Sequence, residues 1–396
     1  MYSLDYKKRD NSKIIEKICE IRETGEEYVV LKYDEKFVCD NDEKLGAYRS
    51  VVYSKGGERL VCYSPPKGLT MDLFQERNNV VSDILITEVV EGTMLSLFWD
   101  GGRWELATKG SVGGNYWFYR TQYEGGAAPK QKTFRQMFVE ALKGEGDIND
   151  LEVIKTLPKG PIEGETYCYN FVLQHPENHI VLNVPYPRVF LVGVYKIGPE
   201  NNAKFIPPTI YQQWFCGVDS VIEFPKVVEN YDSANIYPSS IPGLMFLNPE
   251  TGDRACWENP AYVTLKELRG NHPNLHYQYL CLRRIDKVMD FLKHFPQYKK
   301  VFHRFYNQFE EYVTKIHQAY VSYYVRKEGV QIPKKYFVVI HKIHHEVYIP
   351  SLSAQVEDAD GKKEKLIMRR SEVRKALLNL PPSSVFYYLY LDEETK

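Results

Sequence analysis

The sequence predicts an α+β protein in which a region of antiparallel sheets with packed helices is followed by a mostly helical C-terminal domain. Three observations predict it. Between Glu26 and about Leu268, short runs rich in β-branched and aromatic residues recur between Gly, Asn, Pro and Asp turns. After Arg269-Gly270-Asn271-His272-Pro273 the apolar period changes to three and four residues. The chain of 396 residues is long enough to bury two cores, so residues 1–270 and 271–396 are assigned as two domains.

In chain order, Asn11 to Glu20 reads as an opening helix. Strands follow in "EEYVVLKYD" and in "YRSVVYSKGGERLVCYSP". In "ILITEVVEGTMLSLFWDGGRWELATKGSVGG", apolar residues alternate into the Glu91-Gly92 step. A strand then runs through Ser96-Leu97-Phe98, and Gly101-Gly102 turns the chain back, so the segment reads as a hairpin carrying a site. Gly113-Gly114 and Gly125-Gly126 read as turns, because no GK[ST] follows to make a phosphate loop. Lys132 to Leu142 is a helix by the spacing of Phe134, Met137, Phe138 and Leu142. The runs "TYCYNFVLQ", "HIVLNV", "RVFLVGVYKIG" and "PGLMFLNPETGDRACW" are strands, with Asn248-Pro249 and Asn259-Pro260 opening turns.

In the second domain, Ile285, Val288, Met289 and Leu292 form a short helical stripe. Phe302, Phe305, Phe309, Val313, Ile316, Tyr320 and Tyr323 form a long one, which reads as core rather than as a platform for bases. Gln355 to Lys365 is charge-dense and reads as an exposed loop. Ser371 is placed to cap a last helix ending before Leu380-Pro381-Pro382.

Composition excludes some classes of function. Lysine plus arginine (51) and Asp plus Glu (52) nearly cancel, so a nucleic-acid surface must be a local patch. The cysteines number seven, an odd count with no CxxC pair, which argues against a disulfide framework and a zinc module and for a reducing compartment. No apolar run approaches the roughly 18 residues of a membrane span, and the first residues lack the apolar core of a signal peptide. The expectation is a cytoplasmic protein with no membrane partner. His341, His344 and His345 beside Glu346 lack the HExxH spacing and a third ligand, so they read as helix-surface or packing histidines with no metal.

Four segments taken in order carry a resemblance: "AYRSVVYSKGGERLVCYSPPKG", "ILITEVVEGTMLSLFWDGGRWELATKGS", "TYCYNFVLQHPENHIVL" and "PGLMFLNPETGDRACWENPAYVTLKELRG". Together, over roughly Tyr48 to Arg269, they resemble the motif series of the T4-type RNA ligases, which are covalent nucleotidyltransferases. The resemblance implies a nucleotidyltransferase (adenylation) domain of antiparallel sheets. In that family a lysine within KxDG or KxEG attacks the α-phosphorus of ATP and forms lysyl-AMP. The matching segment here is Val89-Val90-Glu91-Gly92, and valine is no nucleophile. The family's metal- and nucleotide-holding glutamates match Asn170 and Pro242, and its phosphate-neutralising KxK pair matches Cys256 and Glu258.

Val89, Asn170, Pro242, Cys256 and Glu258 thus depart from the pattern where the chemistry is concentrated, and the implied protein is a pseudoenzyme. Arg49, Lys67 and Lys109 match basic positions near phosphates, while Glu91 and Gly92 keep the turn after the lost lysine. These read either as a surviving phosphate-binding rim or as ordinary solvated charges with Glu91 in a structural hydrogen bond. Cys256 is disfavoured as a replacement nucleophile, because Glu258 beside it raises the thiol pKa. The resemblance leaves RNA, a nucleotide or a protein as the partner, and it points to a structural or assembly role in a large DNA virus, with virion association. The alternative is an active ATP-dependent RNA ligase, and only that reading brings in ATP and magnesium.

Overall fold

The computed structural model describes residues 1–8, 12–21, 24–39, 42–55, 59–79, 83–117, 132–143, 157–160, 164–215, 221–229, 231–232, 236–270, 272, 274–353 and 367–391. The turn expected at Gly125-Gly126 and the loop expected at Gln355 to Lys365 lie outside the described residues. The chain forms two compact units, one ending at Glu267 and the other beginning at Leu268.

The first unit opens with β1 (Tyr2–Ser3), β2 (Ile14–Ile21), β3 (Glu26–Tyr33), α1 (Glu43–Gly46), β4 (Val51–Ser54) and β5 (Leu60–Tyr63). Helix α2 (Met71–Asn78) leads to β6 (Leu85–Glu88), β7 (Thr93–Asp100), β8 (Arg103–Thr108) and β9 (Ser111–Val112). Then come α3 (Phe134–Lys143), β10 (Thr166–Gln174), β11 (Arg188–Gly198), β12 (Asn202–Ile206) and α4 (Pro208–Tyr211). The remaining elements are β13 (Ile222–Glu223), β14 (Gly243–Leu247), β15 (Arg254–Glu258) and α5 (Pro260–Arg269).

These strands make three sheets. An eight-stranded sheet runs β1-β12-β11-β10-β7-β8-β9 with β13 beside β11, a three-stranded sheet runs β15-β14-β6, and a four-stranded sheet runs β2-β3-β4-β5. Every pairing among the named strands is antiparallel except the short β11–β13 contact. Strand β10 is buried on both faces, which is why it reads as a nearly unbroken apolar run. Cys168 faces the core shared with Tyr63 and Val51, while Tyr169, Phe171 and Leu173 face the core under α3. There the rings of Phe138 and Phe171 meet edge to face at 5.4 Å.

Three expectations change in the first unit. Asn11 to Glu20 is not a helix: Ile14 to Ile21 is β2, with Ile14 opposite Tyr33 and Ile18 opposite Val29. Isoleucines at 14, 15, 18 and 21 are stiff at χ1 and fit a pleated surface, and pairing to β3 decides the outcome. Secondly, β6 does not pair with β7. It pairs with β14, so Val89 to Gly92 crosses from the small sheet to the large one. The hairpin itself is β7–β8, turned by Gly101 and Gly102 at φ 54 and 83. Thirdly, "HIVLNV" is not a strand, because its amide groups are used elsewhere, as shown below.

The second unit is helical: α6 (Leu275–Arg284), α7 (Val288–His294), α8 (Lys299–Tyr320), α9 (Lys334–Ile343), α10 (Ile349–Ser353), α11 (Arg370–Asn379) and α12 (Pro382–Tyr390). Helix α8 buries Phe302, Phe309, Val313, Ile316 and Tyr320, so most of the stripe is core, whereas Phe305 is half-buried and Tyr323, beyond the helix, is exposed. The shorter stripe is different. Ile285 and Met289 are exposed, and the buried face belongs to Phe291 and Phe295. Ser371 lies inside α11 rather than capping it, and the prolines after Leu380 open α12 instead of ending the structure. Proline at a first helical turn loses only an amide that has no partner there anyway. No helix among the described residues is long and apolar enough to cross a membrane.

Candidate functional site

A cavity of about 390 Å³ lies in the first unit where Val89 to Gly92 crosses between sheets. Its size is that of a small-molecule site. The crossing is pinned at one end by Val89 N–H donating to Gly243 O at 2.9 Å. At the other end Gly92 approaches β10 so closely that a Cβ there would sit 2.3 Å from Leu173 O and 2.7 Å from Val172 Cγ1. Only glycine permits that approach. Much of the wall is hydrocarbon, Val89 and Met94 from the crossing and β7, Val172 from β10, Val192 from β11, and Met245 and Leu247 from β14, with Thr87, Tyr211 and Gln212 adding neutral polar groups. Val192 is the extra residue of a bulge, between Asn170 opposite Gly193 and Phe171 opposite Leu191.

Two cations interrupt this apolar lining, Arg49 ahead of β4 and Arg254 at the start of β15. Arg254 donates from Nη2 to Pro66 O, while its Nε is buried with no acceptor. Burial, and then the neighbouring Arg49, push the Arg254 guanidinium down to about 10. No carboxylate of a described residue lies within ion-pair distance of either arginine. One carboxylate does line the cavity, that of Glu88, and it is held by Lys226 at 3.1 Å. An apolar chamber with two uncompensated guanidiniums suits an organic anion with an apolar body, and the planar fork favours phosphate or carboxylate.

No family model matches the chain. It is 25% identical over 124 residues to an RNA ligase of Rhodothermus phage RM378, covering 31% of this chain and 26% of that protein. It is 21% identical over 262 residues to the "Immediate-early protein ICP-46 homolog" of Invertebrate iridescent virus 6, covering 62% of this chain and 54% of that one. The chain has RNA ligase homologues at low identity. It therefore spans about a quarter and about half the length of these two relatives. Among solved structures it is similar to a putative ATP-dependent DNA ligase from Aquifex aeolicus, at 12% identity and a TM-score of 0.39 over 74% of this chain and 78% of that one. It is also similar to Naegleria gruberi RNA ligase with PPi, at 8% identity and a TM-score of 0.34 over 64% of this chain and 98% of that one.

The residues singled out in the sequence divide into those on the cavity and those away from it. Val89, Gly92, Cys256 and Arg49 line it. Burial, and then the Glu258 carboxylate, push the Cys256 thiol up and away from a reactive thiolate. Glu258 does not line the cavity; it is exposed and 3.9 Å from Lys266. Asn170 is fully buried, accepting from Ser96 Oγ at 2.7 Å and donating to Tyr63 O at 3.2 Å. Pro242 is buried and accepts the Asn259 amide at 3.0 Å. Lys109 pairs with Glu35 at 2.6 Å and lies over the Tyr33 ring, and Lys67 packs against Gly46; neither lines the cavity.

Glu91 turns away from the cavity altogether. Its carboxylate accepts the amides of Ile180, Val181 and Leu182 at 3.0–3.1 Å and the Tyr262 hydroxyl at 2.6 Å. That is the structural hydrogen bond of the two sequence readings, and it is what occupies the backbone of "HIVLNV". The cavity residues that sequence reasoning passed over are Val172, Met245 and Arg254. Arg254 and Cys256 lie opposite Leu247 and Met245 on β14, so they share one face of β15 at the same i, i+2 spacing as Cys256 and Glu258. Reading that spacing one step upstream finds the arginine.

A divalent cation does not fit this donor set. Hard cations take several oxygen ligands, mostly anionic, whereas among the described lining residues the one carboxylate, Glu88, is engaged by Lys226 and Thr87, Tyr211 and Gln212 add only neutral oxygens. Among the described residues no group of three or more His, Cys, Asp or Glu could hold a metal.

Proposed function

We propose that the chain is an RNA ligase-like pseudoenzyme that keeps the cleft as a non-covalent pocket for a phosphate-bearing ligand, a nucleotide or an RNA end, without adenylyl transfer. One observation carries this reading: Val89 presents a hydrocarbon wall to the cavity, and no lysine is among the described residues that line it. Adenylyl transfer through a phosphoramide needs an amine on a flexible stem. Arg254 is no substitute, because its nitrogen lone pairs are delocalised over the planar group, which makes a poor nucleophile, and its Nη2 is engaged by Pro66 O. What the two arginines can do is bind charge.

The relatives support an RNA-related and viral setting, since one is a phage RNA ligase and the other an iridescent virus protein. In that setting the chain acts by binding, as part of an assembly that includes RNA or a protein partner, in the cytoplasm or in a virion.

The test has two arms. The chain is incubated with ATP labelled in the α-phosphate and magnesium, then precipitated with acid; no label is expected on the protein. Melting with AMP or ATP in chelator is expected to show protection in the wild type and none in Arg254→Met. Acid-stable label on the wild-type chain overturns the reading in favour of an active ATP-dependent ligase. Absence of protection in the wild type removes the pocket from it.

A further inference from the structure

Apart from the cavity, the helical unit carries its own concentration of arginine. Arg283 on α6 and Arg370 and Arg374 on α11 converge on the Glu310 carboxylate of α8. Arg283 lies 2.8 Å from one carboxylate oxygen and Arg370 3.0 Å from the other, which Arg374 also meets. Glu310 is 8% exposed, and among the described residues it is the sole carboxylate within ion-pair distance of the three.

One negative charge among three positive ones leaves an excess that folding alone does not ask for. Replacing such a cluster as a whole by packed apolar side chains is often neutral or stabilising, so stability alone does not account for it. The donors are also in surplus: Nε of Arg283 and Nε of Arg374 are buried with no acceptor among the described residues, whereas buried polar groups are ordinarily hydrogen-bonded. The site is open as well, since the Arg370 and Arg374 side chains are 50% and 41% exposed.

An exposed aromatic ring adjoins the cluster. The Arg283 guanidinium lies 5.4 Å from the Tyr306 ring centroid and 4.2 Å from that of Phe309. Tyr306 is 43% exposed, with the His303 ring stacked beside it at 17°. Phosphates take guanidinium forks and bases take aromatic faces.

We propose that this α6–α8–α11 face binds the backbone of a single-stranded nucleic acid, with Arg370 and Arg374 on phosphates and Tyr306 under a base. An acidic peptide would answer the charge and leave the ring unused. The site lies in the helical unit and does not rest on the reading of the cavity, so the ATP-labelling result does not bear on it.

Fluorescence anisotropy of a labelled oligouridylate with the full chain, across a salt series, is the test. Replacing both arginines (Arg370→Gln with Arg374→Gln) is expected to weaken binding at least tenfold. It should also lower the slope of log affinity against log salt by about 1.4, two phosphate contacts at about 0.7 each. Tyr306→Ala leaves every partner of Glu310 in place and is expected to weaken binding about tenfold with the slope unchanged. Wild-type affinity and slope in a double variant that still melts cooperatively overturn the proposal. If the double variant does not fold, an unchanged affinity in Tyr306→Ala overturns it instead. Polyglutamate binding as tightly as the oligonucleotide assigns the face to acidic peptides and equally defeats it.

Discussion

Glu91 sits two residues from Val89 in sequence, yet its carboxylate points into a nest of three backbone amides and the Tyr262 hydroxyl rather than toward the cavity. A buried carboxylate so held satisfies donors that have no other partner, and it ties the segment after β10 to the crossing and to α5. Removing the charge while keeping the shape turns an amide N–H₂ toward some of those donors, and each lost charge-assisted bond is worth about 1.5–3 kcal/mol. Glu91→Gln is therefore expected to lower the stability of the first unit by about 2 kcal/mol, read as the urea midpoint followed by tryptophan fluorescence. A midpoint equal to wild type would mean that the nest is filled by water instead. At this scale the sequence was only partly legible. That Val89 carries no nucleophile is plain from its identity, but the direction of a side chain is not. Nothing in the string Glu91-Gly92 says that the acid turns inward, and nothing in Arg254 marks it as a lining residue until the β14–β15 register is known.

At the scale of elements, what could be read from sequence was whatever local periodicity decides. Apart from "HIVLNV", the strand-like runs from β3 to β15 come through, as does the buried stripe of α8, because burial on one face imprints a period on the chain. Strand β2 was hidden because Lys13, Glu16, Lys17 and Glu20 are good helix formers and only the partner strand overrides them. The pairing of β6 with β14 joins residues about 160 apart in sequence, beyond the reach of any local rule. Helix α6 shows how packing of elements sets a property no sequence pattern displays. His276 stacks on Phe305 of α8 at 4.2 Å and bonds through Nδ1 to the Tyr390 hydroxyl of α12 at 2.6 Å, while its Nε2 is buried with no partner. Burial pushes this imidazole down to about 4. Its folded value then lies below the unfolded one of about 6.5, so the unfolded chain binds the extra proton and stability falls as pH drops through the window from about 6.5 to about 4. The loss amounts to about 3 kcal/mol at the acid end. In urea titrations monitored by amide exchange in α8, wild type should weaken across that window, and His276→Phe should flatten this part of the dependence. An unchanged slope in the variant would place the acid sensitivity elsewhere.

For the molecule as a whole, a net charge of −1 conceals two places where arginines outnumber the carboxylates of described residues beside them, two against none at the cavity and three against Glu310 in the helical unit. Near-neutrality leaves no long-range field to draw polyanions in, so any binding must come from these local sites and must weaken steeply with salt. The two units also carry different reporters. All five tryptophans, Trp99, Trp104, Trp117, Trp214 and Trp257, precede Leu268, whereas the long helix α8 belongs to the second unit. A ligand that binds only the folded first unit stabilises that unit by RT ln(1 + [L]/Kd), about 2.7 kcal/mol at a hundredfold excess over Kd. AMP at that excess should move the tryptophan-detected transition upward and leave amide exchange at Ile316 and its neighbours in α8 unchanged, while a single-stranded oligonucleotide should slow exchange in α8. If AMP protected α8 instead, the arginine cluster on Glu310 would be the nucleotide site, and the hydrocarbon-walled cavity beside Val89 would lose its ligand.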